Sequence, residues 1–567
     1  MVKRGIVTHI LFIFSTVFCF AQTDIPSDYF INPLDIPLVM AGTFGELRSN
    51  HFHSGLDIKT QRKEGLKVYA SADGFISRIK ISHYGYGKAI YIQHPNGYTT
   101  VYAHLKKFSP EIEAYVKDKQ YKKENYEIEV YPTSGTIPVT QGELIAYSGN
   151  TGGSGGPHLH YEIRDVNARP MNPFLFGIDV TDTKPPKITK AFVYPLDENS
   201  YINRSQEPVE LRISMQKDSS FIAEKIKAQG NIGFGISTID QQNGANNKNG
   251  IYQIQTTVNG EENFLLTMDK FSFAETRYLN RMIDYGYFIK KRERVQKLFI
   301  EKNNPLSIYK NEVDNGILSI TDSLSYQYTI KVKDYAGNVT RVNIPIIGAI
   351  DTLVQPKTKM VTDHYAYANQ PFTFSDGKFT VYIPKGALYD DTFLHLRASS
   401  DSLDFHQEET PLHKNAIISY DLSAYNEADR EKLYIGRLNY KGDDIYYSGT
   451  QIKDNLLTTA TRTFGTYTIG MDKTPPVITP KNVAEGRWMS KYRYLKFKIE
   501  DEDSGIKSYR ATINGKYILM EYDYKTNTLI HDFNDNVVTD TENNLKLIVT
   551  DNVGNSATFE TTFFRKK

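Results

Sequence analysis

The chain has 567 residues, too many for one hydrophobic core, and ordinary domain sizes predict roughly three to five domains. Its composition, 40% hydrophobic and 23% charged, is typical of folded soluble protein and excludes a disordered or fibrous chain. The formal net charge of +1 provides no general attraction for nucleic acid, and we expect no nucleic-acid partner.

The first residues have the layout of a secretory signal peptide. Lys3 and Arg4 precede an apolar run from Ile10 to Phe20, and small residues precede Gln22 at the positions that signal peptidase reads. We therefore predict a signal peptide over residues 1–21 and an exported protein, located in the periplasm, in the cell envelope or outside the cell. The alternatives are a buried helix or a membrane anchor, but the run is short for a membrane span. No later stretch is long and apolar enough, so no transmembrane span is expected after cleavage.

Cysteine usage restricts the chemistry of the mature chain. Cys19 is the only cysteine and lies in the predicted signal peptide, which leaves no disulfide, thiol nucleophile or thiolate ligand. A metal site must therefore use His, Asp or Glu. Histidine is concentrated in one part of the chain, where seven of the 13 histidines lie between His51 and His160. We look for the chemistry there, because imidazole is a preferred ligand of zinc.

Three motifs follow one another in this part of the chain. They are His53-Ser54-Gly55-Leu56-Asp57, Tyr102-Ala103-His104-Leu105, and a glycine-rich segment that ends in His158-Leu159-His160. Side chains alternate along a strand, so His158 and His160 are expected to point into one space and Leu159 into the core. His53 and Asp57 are also an even number of residues apart. Two imidazoles and a carboxylate that leave one position for water form an open catalytic zinc site, although the residue types do not exclude other divalent metals.

Together, in this order, the motifs resemble the lysostaphin/LytM-type zinc endopeptidases, many of which cut peptide bonds in peptidoglycan. The resemblance runs roughly from Gly42 to Arg164 and includes the segments 70–74, 84–87 and 141–146. It implies an antiparallel β-sheet peptidase domain over residues 22–178. It also implies that His53, Asp57 and His160 bind Zn²⁺. His104 and His158 become the catalytic histidines, which shuttle a proton or stabilise the oxyanion.

Other residues near these motifs have more than one interpretation. His51 is an even number of residues from His53, so on a strand both face the same side. It has three interpretations: a metal ligand, a residue that supports a ligand, or an exposed side chain. Glu162 and Arg164 line the groove or form an ordinary edge pair of little energetic consequence. His83 and His94 lie beside turn residues, and we expect them at the surface.

An insertion over residues 106–140 separates His104 from the glycine-rich segment. Ser109 and Pro110 predict the start of a helix, and Ile112, Tyr115 and Val116 form an apolar stripe along it. The alternation from Glu127 to Tyr131 predicts a strand. The insertion either shapes the substrate groove or is a decoration without a role.

An internal repeat organises the rest of the chain. Thr183-Lys184-Pro185-Pro186-Lys187-Ile188 is echoed by residues 473–478, and each copy later reaches an alternating strand and an Asp-x-x-Gly-Asn turn. The strands are predicted at 328–332 and 545–549, and the turns at 334–338 and 551–555. The pattern resembles bacterial immunoglobulin-like sandwiches, which we predict over 183–350, with an exposed loop near 243–250, and over 472–567. Residues 351–471, which include a strand at 379–383, are predicted to form a sandwich of unknown family, so the fold class is mainly β throughout.

These observations predict an exported zinc endopeptidase that hydrolyses peptide bonds in the cross-links or stem peptides of peptidoglycan. Two alternatives stay open: a non-catalytic envelope regulator or binding protein with the peptidase fold, and a secreted endopeptidase that acts on proteins. Peptidoglycan peptides are the expected partner, and an envelope protein bound through the sandwich modules is a further candidate. Every predicted ligand lies before Gly177, so a chain ending there is expected to fold and keep its metal.

Overall fold

The structure is a computed structural model that describes residues 25–350, 354–358 and 360–566. The predicted signal peptide, residues 1–21, lies outside the described residues. Strands dominate every part, which confirms the mainly β fold class. Within the described residues, no helix has the length and apolar character needed to cross a membrane. We call residues 25–178 the first region, 183–350 the second, 354–471 the third and 472–566 the fourth.

The first region consists of a 9-stranded sheet, ordered β1-β2-β11-β6-β5-β4-β8 with β9 and β12 at its margins, and a 3-stranded sheet, β3-β10-β7. Apolar residues at alternate positions, such as Ile79 and Ile81, bury one face of the large sheet in a shared core. The strands are β1 (Met40–Gly42), β2 (Leu56–Lys59), β3 (Lys67–Tyr69), β4 (Gly74–Ile81), β5 (Lys88–Gln93), β6 (Thr99–Ala103), β7 (Leu105–Phe108), β8 (Ile128–Val130), β9 (Pro138–Val139), β10 (Leu144–Ser148), β11 (His158–Arg164) and β12 (Pro170–Met171); the helices are α1 (Pro110–Lys123) and a 3₁₀ turn (Pro173–Phe176).

The second region forms a 13-stranded sheet that folds around its own core and carries two short helices. Phe44 and Phe52 of the first region lie in this core, where both rings contact Phe271. Its elements are β13 (Lys187–Pro195), β14 (Tyr201–Ile202), β15 (Val209–Leu211), β16 (Ile213–Met215), β17 (Phe221–Ala223), β18 (Ile226–Ile239), β19 (Gln253–Val258), β20 (Glu261–Thr267), α2 (Leu279–Met282), α3 (Tyr285–Lys291), β21 (Gln296–Lys297), β22 (Tyr309–Glu312), β23 (Leu318–Ile320), β24 (Ser325–Lys333) and β25 (Val339–Gly348), with 3₁₀ turns at Thr276–Tyr278 and Asp314–Gly316.

The third region pairs two 5-stranded sheets, β27-β28-β32-β36-β35 and β30-β31-β37-β33-β34, over one core. The predicted strand at 379–383 is present as β28. Its elements are β26 (His364–Ala366), β27 (Phe372–Asp376), β28 (Phe379–Ile383), β29 (Thr392–Leu394), β30 (Leu396–Ala398), β31 (Ser402–Phe405), β32 (Ala416–Asp421), α4 (Glu427–Arg430), β33 (Leu433–Leu438), β34 (Ile445–Tyr447), β35 (Gln451–Lys453), β36 (Leu456–Thr461) and β37 (Gly465–Met471).

The fourth region pairs a 4-stranded sheet with a 5-stranded sheet. Its elements are β38 (Val477–Pro480), β39 (Arg487–Trp488), β40 (Tyr494–Glu500), β41 (Ile506–Ile513), β42 (Lys516–Ile518), β43 (Glu521–Asp523), β44 (Thr528–Asp532), a 3₁₀ turn (Phe533–Asp535), β45 (Glu542–Asp551) and β46 (Ser556–Phe564). The predicted repeat strands lie within β24 and β45, and the turns after them place Gly337 and Gly554 at φ 93° and 86°, the left-handed region that glycine favours. The immunoglobulin-like assignment and the domain boundaries stay predictions.

The insertion contacts the fourth region, a role that neither interpretation of its sequence included. Helix α1 begins after Ser109, as predicted, although the Ser109 side chain makes no capping hydrogen bond. Its Lys117 ammonium pairs with Asp535, and the Tyr121 hydroxyl donates to Asp535 Oδ2 over 2.7 Å. The predicted strand is present as β8, which pairs with β4 at the edge of the large sheet. The insertion therefore provides a surface to which the fourth region binds.

The loop at 243–250 is exposed only in part, at Gly244, Asn246 and Lys248, and not throughout as its Asn/Gly composition predicted. Ala245 and Asn249 are 4% exposed, and Gly250 N donates to Thr43 Oγ1 over 3.0 Å. Gln242 Oε1 accepts from Met40 N over 2.9 Å. The loop and the residue before it therefore pack on β1 and on Thr43 just after it, through contacts that the local sequence could not indicate.

Candidate metal centre

Three neighbouring strands bring the predicted site residues together. Strand β11 pairs with β2 so that His160 lies opposite Asp57, and with β6 so that His160 also lies opposite Ala103. Directly opposite residues of an antiparallel pair share a face, so the two side chains meet. Leu159 points the other way into the core and is 0% exposed, as the alternation predicted.

His53, Asp57 and His160 form one buried group. His53 Nε2 lies 3.0 Å from Asp57 Oδ1, and His160 Nδ1 lies 2.9 Å from the same oxygen. The two ring nitrogens are 3.1 Å apart. Among the described residues, these three form one of the groups whose ligand atoms lie within 4.8 Å of one another and can hold a metal ion. The predicted ligand residues are therefore assembled as a metal site requires.

The remote ring nitrogens of both histidines are already engaged. His53 Nδ1–H donates to the Thr43 carbonyl oxygen over 2.8 Å, and His160 Nε2–H donates to Glu162 Oε1 over 2.8 Å. These bonds hold each ring by its remote nitrogen, so that His53 Nε2 and His160 Nδ1 are the nitrogens that face Asp57. A carbonyl or carboxylate behind each histidine is the usual support of a metal ligand.

Glu162 is the centre of that support, and its interpretation as a groove residue or minor edge pair was wrong. The residue is 0% exposed. Its Oε1 also accepts from Ser54 Oγ over 2.6 Å and from the Tyr86 hydroxyl, and its Oε2 accepts from Arg164 Nε over 2.6 Å. Burial opposes the charge, but Arg164 and His160 hold the Glu162 pKa well below its ordinary value. The spacing of two residues from His160 was a signal in the sequence, but Ser54 and Tyr86 lie on segments far away in sequence.

Asp57 is held in its charged form. Its Oδ2 accepts from Arg48 Nη2 over 2.8 Å, a contact that the sequence did not reveal. Burial would raise the pKa of Asp57, but the histidines beside it lower it well below the ordinary range. Burial lowers the pKa of His160, whereas hydrogen bonds to Asp57 and Glu162 raise it to about 9. A metal cation bound at His160 Nδ1 is therefore favoured by two negative charges, those of Asp57 and Glu162.

His104 and His158 lie beside this group, with ring centroids 4.7 Å apart. His104 Nδ1–H donates to the Thr151 carbonyl over 2.9 Å, and His158 Nδ1–H donates to the Gly156 carbonyl over 2.8 Å. His158 Nε2 lies 3.4 Å from Asp57 Oδ1. His104 follows β6 with φ 59°, a left-handed conformation that costs energy in a residue other than glycine and clusters at active sites. Burial, with His160 and His158 nearby, lowers the pKa of His104 to about 3, so its ring is neutral near pH 7.

The other histidines of the first region lie away from the centre. His51 is exposed and bonds through Nδ1 to the Ser49 carbonyl over 2.8 Å, which agrees with one of its interpretations. The predicted surface position of His94 was wrong, since it is 3% exposed and accepts or donates at both ring nitrogens. His83 is only partly exposed, because its ring stacks on Tyr126.

Residues 51–121 and 133–173 match Peptidase family M23. The first region is an M23 peptidase domain. The gap in the match, residues 122–132, falls within the insertion. Residues 363–472 match the Zu5-like domain, which gives a family match to most of the third region.

Relatives with established names match the M23 domain. The DD-carboxypeptidase/endopeptidase Mpg of Neisseria meningitidis serogroup B is 35% identical over 145 residues, which are 26% of this chain and 26% of the relative. The peptidoglycan DD-endopeptidase ShyA of Vibrio cholerae is 32% identical over 155 residues, 27% of this chain and 30% of the relative. The chain thus spans only about a quarter to a third of these relatives.

Solved structures also resemble this part of the chain. A zinc-containing peptidase from Vibrio cholerae is 25% identical, with a TM-score of 0.19, over 27% of this chain and 41% of that one. The catalytic domain of lysostaphin from Staphylococcus simulans is 23% identical, with a TM-score of 0.18, over 24% of this chain and 90% of that one.

Proposed function

We propose that the protein is a zinc-dependent endopeptidase that hydrolyses peptide bonds of peptidoglycan. The observation that carries the proposal is the donor set of the M23 domain. His53, Asp57 and His160 turn three ligand atoms toward one another, and each histidine is oriented from behind by an oxygen. Two imidazoles and one carboxylate, with a position left for water, make a catalytic zinc set.

Zinc fits this donor set better than a hard cation does. The two ring nitrogens favour a borderline metal, whereas Ca²⁺ and Mg²⁺ prefer oxygen ligands throughout. When bound at these three residues, zinc supplies Lewis-acid chemistry that polarises the scissile carbonyl and makes water acidic. Glu162 and Thr43 keep the two imidazoles in the tautomers that the metal needs.

His104 and His158 are the residues that we assign to proton transfer. Each donates its Nδ1–H to a backbone carbonyl, so each presents Nε2 as the free acceptor. His104 is neutral near pH 7, so its Nε2 can accept a hydrogen bond from water, and a proton taken up there as charge develops lets the ring stabilise the oxyanion. His158 Nε2, beside Asp57, is placed to share or return that proton.

The substrate class follows from the relatives. Mpg is named a DD-carboxypeptidase/endopeptidase, and ShyA a peptidoglycan DD-endopeptidase. We therefore place the protein in the exported compartment where peptidoglycan lies, with an envelope protein as a candidate partner of the sandwich regions. An endopeptidase that acts on proteins is the second candidate. A non-catalytic regulator is disfavoured, because the complete ligand set and both further histidines are present.

Defined muropeptides provide the test. We expect the purified chain to cleave a cross-linked dimer to monomers, as detected by mass spectrometry, and to lose this activity after chelation. Zinc added back should restore it. Cleavage of a glycine-rich protein substrate with no action on muropeptides would favour the second candidate, and zinc binding without cleavage of either would favour the regulator.

The pair His158 and His160 separates the two assigned roles. His160→Ala should lose zinc and activity together, because it removes a ligand. His158→Ala should keep near-stoichiometric zinc and lose turnover by on the order of 10²–10⁴-fold, the usual range for general acid–base groups. Metal analysis and muropeptide kinetics on both variants are sufficient. Zinc lost from His158→Ala but kept by His160→Ala would reverse the assignment.

A further inference from the structure

A second group of acidic side chains lies away from the zinc centre, where the first and second regions meet. Asp182 lies in the connection between the regions, Asp240 directly follows β18, and Asp334 directly follows β24. One carboxylate oxygen from each lies within 4.8 Å of the others. The three residues come from separate segments, so their charges are brought together only by the fold.

The surroundings of this group point to a ligand. Asp240 is 6% exposed, yet among the described residues its Oδ1 has no hydrogen-bond partner. Asn249 is 4% exposed, and neither its Oδ1 nor its Nδ2 finds a partner in the described part of the chain. Asp182, Asp240 and Asn249 line one cavity of about 110 Å³. Buried polar atoms almost always have partners, so three orphaned atoms at one cavity require an explanation.

We propose that Asp182, Asp240 and Asp334 bind a calcium ion at the edge of this cavity, with Asn249 Oδ1 as a further ligand. Ca²⁺ takes six to eight oxygen ligands at about 2.3–2.6 Å, so two oxygens on one ion lie up to about 5 Å apart. The spacing within 4.8 Å fits that limit. The donor set is entirely oxygen, unlike that of the zinc centre, which selects a hard cation.

The charge balance supports the same conclusion. Burial raises the pKa of Asp240 to about 7, and the carboxylates of Asp334 and Asp182 add to the shift. Lys184 is the cation that opposes it, but its ammonium is bonded to the Gln242 carbonyl over 3.1 Å. Burial likewise raises the pKa of Asp334. A divalent ion offsets this repulsion without protonation of a carboxylate.

The repeat in the fourth region supplies an internal comparison. Asp472, Asp501 and Asp551 occupy the matching positions: before the paired prolines, at the end of a strand, and in the Asp-x-x-Gly-Asn turn. Asp182 and Asp334 accept hydrogen bonds from Lys184 N and from Asn338, much as Asp472 accepts from Ser504 Oγ. The two groups differ at the strand end, where Asp501 Oδ1 accepts from Gly505 N over 2.6 Å and Asp240 Oδ1 has no partner among the described residues. No oxygen of this second group is among the orphaned buried atoms of the described residues. We therefore assign the ion to the first group only.

Calcium at this place holds the segment of the second region that contacts the first region. The backbones of Asp240 and Asn249 are hydrogen-bonded to each other, and Gly250 bonds to Thr43, whose carbonyl orients His53. The ion is thus expected to stabilise the junction on which the M23 domain rests. This inference does not depend on the proposed activity.

Calorimetric titration of the purified full chain with CaCl₂, after dialysis into metal-free buffer, tests the proposal. We expect one Ca²⁺ per chain and a melting temperature that rises with Ca²⁺. Asp240→Asn should weaken binding by at least about tenfold, because it removes a charged ligand. Asp182→Asn, at a less buried position, provides a second variant if Asp240→Asn does not fold.

Asp501→Asn is the matched control and should leave calcium binding unchanged. The proposal is overturned if the native chain neither binds Ca²⁺ nor gains thermal stability from it. It is also overturned if Asp501→Asn abolishes binding while Asp240→Asn does not, since the ion would then belong to the fourth region.

Discussion

The M23 domain is held on two sides by surfaces of different chemistry. Toward the second region it inserts Phe44 and Phe52, which are 2% and 1% exposed, into a hydrophobic core. Toward the fourth region, ion pairs and hydrogen bonds occur beside ring contacts such as that of Tyr121 with Tyr517, and we call this contact the polar surface. Lys88 Nζ lies 2.9 Å from Glu521 Oε1, Lys117 pairs with Asp535, and Leu519 is the buried apolar residue that the fourth region contributes.

The difference indicates two kinds of attachment. Burial of two aromatic rings is insensitive to salt and costs several kcal/mol to undo, so we expect the second region to be part of the folding unit of the M23 domain. In each ion pair toward the fourth region one partner is partly exposed, so salt screens these pairs in part, and we expect this contact to be the weaker of the two. Between that contact and the glycine-rich segment lies a cavity of about 670 Å³ lined by Lys88, Thr151 and Glu521.

The largest effect is expected at the apolar surface. Phe52→Ala should lower the free energy of unfolding by about 3–5 kcal/mol, because it empties a filled position in the core. Urea unfolding of the full chain measures this. Tyr440→Ala, at a residue that is 89% exposed, is the control and should have little effect. A loss below about 1 kcal/mol from Phe52→Ala would show that the two regions do not share a core.

The same surface changes the expectation for a shortened chain. The sequence alone predicts that residues up to Gly177 fold and keep their metal, since the ligands all lie before that point. In the structure, that chain would expose Phe44 and Phe52 beside His53. We now expect it to aggregate or to bind zinc poorly, whereas a chain ending near residue 350 should do neither. Soluble yield and metal content of the two chains decide between these outcomes.

A smaller effect is expected at the polar surface. Asp535→Ala removes the partner of both Lys117 and Tyr121 and should destabilise this contact by about 1–3 kcal/mol, while the rest of the chain keeps its stability. Amide hydrogen exchange should rise in α1 and in the 3₁₀ turn at 533–535. Asp118→Ala, on the exposed face of the same helix, is the control. Unchanged exchange in Asp535→Ala would show that the apolar contact of Leu519 is sufficient.

The smallest effect is a dependence on pH that only the polar surface should show. The His83 ring lies among Tyr126, Tyr509 and Tyr522, and burial lowers its pKa from 6.5, although Glu127 and Glu521 raise it. Because the pKa of His83 is lower when the fourth region is in contact than when it is not, protonation of His83 favours separation of the fourth region from the M23 domain. The contact should therefore be complete above about pH 6.5 and weaken as the pH falls below that value. His83→Gln should remove this dependence of α1 exchange; a slope that persists in the variant would assign it to other groups.

Local patterns were sufficient to predict much of the fold and the composition of the site. The alternation of residue types at 379–383 predicted β28, and the even spacing of His158 from His160 predicted that both side chains lie on one face of β11. Arg48, Thr43 and Glu162 were missed as supports of the ligands, because their roles depend on contacts between segments that are distant in sequence. The docking of α1 was missed for the same reason: its partner, Asp535, lies more than four hundred residues away.

The fourth region returns to the M23 domain and contacts its glycine-rich segment, which precedes His158 in the sequence. Tyr524 donates to the Gly152 carbonyl over 3.2 Å, and Lys525 Nζ donates to the Asn150 carbonyl over 2.5 Å. Those carbonyls flank Thr151, which orients His104. Because the chain tethers these partners, their effective concentration is on the order of millimolar, and a contact too weak to form between separate molecules persists within one. The fourth region therefore stays bound to the glycine-rich segment even if its intrinsic affinity for that segment is low.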